Sequence, residues 1–129
     1  MVIPIKQRWF KAVMLFGILY GLVGITFGPL MWRLAAWIVS AALFTSHIWY
    51  EHTRLCNSPS PLALHVSAAV ELGALIIAGA ANVHELLTAS SYRSSLALAL
   101  VAWPALTGVP AFVAALIASW FLARIRPNT

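Results

Sequence analysis

Residues 62–87 read LALHVSAAVELGALIIAGAANVHELL, and the reading of this stretch decides the fold. It is uninterrupted by proline and apolar enough to cross a bilayer, yet it carries Glu71 near its middle. At about 1.5 Å per residue, a helix of about 20 residues already spans a hydrocarbon core of about 30 Å. At about 100° per residue, Ser67, Glu71, Ala74, Ala78, Asn82 and Glu85 fall on one face, a stripe of polar and small side chains down a greasy helix. An ionisable group inside a span is costly and normally faces protein or water, which makes Glu71 a candidate functional residue.

Composition extends this reading to the whole chain. Of its 129 residues 62% are hydrophobic and 9% charged, and its mean hydropathy is +0.90. A soluble domain is roughly 45–50% apolar with about 25% charged residues. At this length roughly 30% of the unfolded chain's surface stays exposed after folding, too much for so apolar a sequence in water. The expected class is therefore an all-α membrane protein, a single integral domain over residues 1–129. The net charge of +5 comes from eight Lys and Arg against three Glu. In a soluble chain it would raise nucleic acid as a partner. Here the cations cluster at helix ends, where they set topology and meet anionic lipid, so the bilayer is the expected partner and nucleic acid is excluded. Cys56 is the only cysteine, which rules out an intrachain disulfide and a cysteine-pair metal site.

Four spans follow, at about 12–28, 33–53, 62–87 and 96–123. The basic segment MVIPIKQRWFK precedes the first, whose apolar run is too long for a signal sequence and lacks a small-x-small cleavage site, so it reads as an uncleaved span. That span carries Gly17, Gly21, Gly24 and Gly28 on one helical face, a packing face suited either to another span of the same chain or to an oligomer. Pro29 makes the next connection a tight hairpin. In Asn57-Ser58-Pro59-Ser60-Pro61, Ser58 or Ser60 suits the N-cap of span 3, and Pro59 or Pro61 its first helical position. Pro104, Gly108 and Pro110 interrupt span 4, as a kink or as the frame of a binding site. Lys6, Arg8, Lys11, Arg54, Arg124 and Arg126 fall on one side and Arg33 and Arg93 on the other. This asymmetry predicts an up-down-up-down four-helix bundle with both termini cytoplasmic, in an inner membrane.

A second polar stripe runs down span 2 through Arg33, Ser40, His47, Glu51 and Arg54. His47 lies twelve residues before Pro59 and Glu71 twelve after it, so an antiparallel pair places them at one depth. If the stripes face each other, His47 and Glu71 meet inside the bundle, with Glu51 and Ser67 below them and Asn82 above. Two uses compete for that geometry. One is a hydrogen-bonded His–Glu pair that fixes helix register in a non-enzymatic accessory, assembly or interaction protein. The other is a proton or small-cation path. Glu51 can alternatively pair locally with His47 at i−4 and Arg54 at i+3. Binding of a b-type haem by His47 and His65 is a further option, weakened because the two differ in depth by about 9 Å. No catalytic residue, metal ligand set or cofactor is expected. His84-Glu85 lacks the second histidine of HExxH, and the chain has no Asp for a Ser-His-Asp triad.

The run SHIWYEHTRLCNSP at Ser46–Pro59, with LALHV at 62–66 and ANVHEL at 81–86, resembles small uncharacterised bacterial four-span membrane proteins. The resemblance covers spans 2 and 3, about half of the chain. It implies a bacterial four-span membrane protein and carries over no activity.

Overall fold

The computed structural model describes residues 5–26, 30–89, 91 and 93–125. They form four α-helices: α1, Ile5–Thr26; α2, Leu30–Thr53; α3, Pro59–Thr88; and α4, Ser94–Ile125. α1, α3 and α4 are long and apolar enough to cross a membrane. They make the chain a membrane protein, as its composition predicts. α2 runs for 24 residues but includes Arg33, Ser40, Thr45, Ser46, His47 and Glu51 and is less apolar than the other three.

The expected helix signals operate, with two modifications. α3 starts at Pro59 behind Ser58, whose extended backbone (φ −67°, ψ 162°) is that of an N-cap. The Ser58 hydroxyl makes no capping bond, and its carbonyl instead accepts the N–H of Leu62 at 3.1 Å. α4 stays one helix through Pro104 and Pro110, where an interruption is expected from the sequence. Proline removes a donor but does not end a helix that is held by its neighbour along its length.

α3 is the centre of the molecule. α1 and α4 pack along it on either side, while α2 leans mainly on α1 and barely touches α4. Close packing of α1 on α3 follows from glycine. Gly17, Gly21 and Gly24 lie under Leu72, Ile76 and Ile77, and a β-carbon at any of the three would collide with those side chains. Gly73 answers from α3: a β-carbon there would strike Tyr20 and lie 3.2 Å from the Gly17 carbonyl oxygen. The glycine face thus packs within the chain, and Gly28, its fourth expected member, lies outside the described residues, as does Pro29. Two small cores result. Ile48, Leu62, Ala63, Val66 and Ala115 join α2, α3 and α4, and Val13, Tyr20 and Ala69 join α1 and α3.

Candidate functional site

The turn between α2 and α3 builds the most concentrated polar arrangement among the described residues. It reverses at Cys56, whose φ of 53° is left-handed. That twist carries the Asn57 side chain back onto the last turn of α2. The Asn57 Nδ2 donates to Glu51 Oε2, and the Asn57 backbone N–H donates to the Glu51 carbonyl oxygen at 3.3 Å. From α3, His65 Nδ1 approaches Glu51 Oε2 at 3.0 Å. A carboxylate can only accept, so this bond needs the proton on His65 Nδ1, and the 3.4 Å approach of Asn57 Nδ2 to the same nitrogen is then a contact only. His47, one turn before Glu51, places its Nε2 3.6 Å from Glu51 Oε1, beyond hydrogen-bond range.

Aromatic rings from α1 roof the cluster. Phe16 stacks on His47 with centroids 4.2 Å apart and planes 3° from parallel, and Trp9 stacks on His65 at 4.6 Å and 7°. His47 and Glu51 are both 0% exposed. Among the described residues neither ring nitrogen of His47 has a hydrogen-bond partner, nor does Glu51 Oε1. The whole is a His47–Glu51–His65–Asn57 group, buried at His47 and Glu51 and partly buried at His65 and Asn57, that joins the turn to both helices and to α1.

His47 therefore meets Glu51, the local pairing expected along α2, and not Glu71. Glu71 faces outward, and its carboxylate lies over Gly108 of α4, where a β-carbon would collide with it. The reason is the glycine packing. Gly73 must face α1, and a residue two positions away on a helix lies about 160° around it. The depth match between His47 and Glu71 fails to bring them together because α3 is turned by α1 and not by α2. The rest of the stripe behaves as expected: Ser67, Ala74, Ala78 and Asn82 are buried. Ser67 Oγ donates to the Leu64 carbonyl at 3.1 Å. Asn82 Nδ2 donates to the carbonyls of Ala78 and Leu96, both at 2.8 Å, tying α3 to the first turn of α4. At the same end Glu85 and the exposed Arg93 form an ion pair at 3.6 Å.

His65 and Asn57 are the members that the sequence reading left outside the pair. The i, i+4 spacing of His47 and Glu51 was a visible signal. The folding back of Asn57 depends on the Cys56 backbone, which no pattern announces. Among the described residues no group of three metal-ligating side chains is suited to an ion. A haem between His47 and His65 would have to displace the two stacked rings of α1 and break the bond of His65 to Glu51. Compared with known proteins, the chain matches no family model, no curated protein and no solved structure.

Proposed function

We propose that this chain is a non-enzymatic four-span protein of a bacterial cytoplasmic membrane, both termini inside, that works by lateral association within the bilayer. The contact is the bare face of α3 marked by Leu64, Glu71 and Leu75. One observation carries the reading: Glu71 is exposed twelve residues into α3, deep within a helix apolar enough to span. A charged side chain at the bilayer centre costs about 2.5–3.5 kcal/mol or more. Ser67, Asn82 and one oxygen of the Glu51 carboxylate are hydrogen-bonded within the chain, whereas no bond to Glu71 is seen among the described residues. A second copy answers the need most simply. Across a two-fold axis the same position of each copy faces the other, so one contact takes both Glu71 side chains out of lipid together.

The reading is tested with labelled protein diluted stepwise in lipid vesicles, following energy transfer between copies. The wild type should associate reversibly. Glu71→Leu should weaken association at least tenfold while leaving the monomer as stable or more so, since it removes a lipid-facing carboxyl. Association of the variant equal to the wild type overturns the proposal. The alternative, a proton or cation path through Glu71 and His47, has less support. His47 is enclosed beneath Phe16 with Glu51, while Glu71 stands on the outside beside Gly108.

A further inference from the structure

An open groove of about 530 Å³ runs along the C-terminal part of α2. Thr45, Ser46, Trp49, Tyr50, Thr53 and Arg54 line it, and their i, i+1, i+4, i+5, i+8, i+9 spacing is one helical face. Phe16 of α1 completes the wall. Arg54 stands one residue past the end of α2 at Thr53, and its backbone N–H still donates to the Tyr50 carbonyl at 2.9 Å. The groove therefore has two ends, Arg54 at the α2–α3 turn and Thr45 about 14 Å deeper along the helix. α3 starts just after that turn and is apolar enough to cross the membrane. The Arg54 end thus lies at the membrane boundary and the Thr45 end among the acyl chains.

The two ends differ in chemistry. Thr45, Ser46 and Thr53 donate their hydroxyl protons to the carbonyls of Ala41, Ala42 and Trp49, at 2.9, 2.7 and 2.7 Å. They present methyls and spent hydroxyls to the groove and no free donor. Arg54 is its one charged residue, exposed and in no ion pair among the described residues. Glu51, three residues before it, is buried and held instead by Asn57 and His65. The chain's other two acids, Glu71 and Glu85, lie farther along α3. The end of the molecule that holds Arg54 also exposes Arg8, Lys11 and Arg124. It therefore carries exposed cations and no exposed acid among the described residues. An anion at the mouth and an apolar stem below it, joined in one molecule, match this groove.

We propose that this groove is a binding site for one anionic phospholipid. The Arg54 guanidinium takes the phosphate, whose oxygens its paired N–H groups fit. Tyr50, one turn deeper, supplies a second donor, and the start of an acyl chain lies along Trp49, Phe16 and the methyl of Thr45. Basic pockets at the ends of membrane helices hold anionic headgroups in this way. A zwitterionic lipid brings the same phosphate but also a cation, which the basic end of the molecule repels. The site differs from a diffuse attraction of basic helix ends to anionic lipid in holding one molecule at one place.

The experiment titrates the full chain in non-ionic detergent with phosphatidylglycerol or with phosphatidylcholine of the same acyl chains, and counts bound lipid by native mass spectrometry. The wild type should bind one phosphatidylglycerol about tenfold more tightly than phosphatidylcholine. Arg54→Gln should remove that preference. Arg124→Gln, at the same end of the molecule but outside the groove, should keep it. Ser46→Trp leaves Arg54 in place and fills the groove, and should weaken phosphatidylglycerol binding about tenfold. Circular dichroism of each variant checks that the helices remain. Equal losses in Arg54→Gln and Arg124→Gln would mean a diffuse electrostatic attraction and overturn the proposal. So does unchanged binding by Ser46→Trp, which would place the lipid outside the groove, and so does equal binding of the two lipids by the wild type.

Discussion

Glu51 concentrates the polar chemistry of the α2–α3 turn on one carboxylate. It accepts from Asn57 and His65 and faces His47. Removing one member of a buried charged group leaves the others uncompensated, typically at about 3–5 kcal/mol. Glu51→Ala should therefore destabilise the purified protein by about 3 kcal/mol or more, read by thermal or SDS-induced unfolding in detergent. His47 is a different case, because both its nitrogens lack hydrogen-bond partners and its ring stacks on Phe16. His47→Phe keeps the stacking and removes two unsatisfied polar atoms, so its stability should change by less than about 1 kcal/mol. Equal losses in the two variants would show that His47 and Glu51 hold each other as an ion pair. Of this group the sequence displayed the i, i+4 spacing of His47 and Glu51, since both belong to one helix. It hid Asn57 and His65, which arrive through the left-handed turn at Cys56.

Glycine decides how the helices lie. At Gly73 an added β-carbon meets Tyr20 and, at 3.2 Å and 3.3 Å, backbone atoms of Gly17 and Gly21, which cannot rotate aside as a side-chain tip can. Gly73→Val should separate α1 from α3 and lower stability by about 1–3 kcal/mol, the usual cost of overpacking. Gly79 lies on the same helix with open space around its missing β-carbon. Gly79→Ala should be neutral or stabilise by up to about 1 kcal/mol through helix propensity alone. The two measured side by side in the same detergent separate packing from propensity. If both variants lose stability, close approach of α1 is not what Gly73 provides. The glycine periodicity of α1 was legible as a packing face, and α3 is the surface it meets.

For the molecule as a whole, the proposed topology has a direct reporter. Cys56 is a free, exposed thiol in the turn between α2 and α3. If that turn is cytoplasmic, a membrane-impermeant maleimide added to right-side-out vesicles should label Cys56 only after permeabilisation. A Cys56→Ser, Ser91→Cys variant should be labelled at once, because Ser91 is exposed in the turn between α3 and α4. The opposite pattern would invert the topology, and labelling of both sites from one side would mean that α3 does not cross.

The membrane setting, the four helical stretches and a start of α3 at Pro59 or Pro61 follow from local chemistry: apolar runs of sufficient length, a serine–proline boundary and too little charge for water. Such features depend on neighbours in the chain and are written in it. The facing of Glu71 and the meeting of His47, Glu51 and His65 under Phe16 and Trp9 depend on how helices distant in sequence rotate against one another. That rotation is set by where backbones can approach, at Gly17, Gly21 and Gly24 against α3 and at Gly108 against Glu71. Periodicity marks a face as polar or small, but only the tertiary contacts decide which neighbour it meets. So residues 62–87 announced a span with a carboxylate in it, and the packing of α1 and α4 turned that carboxylate outward.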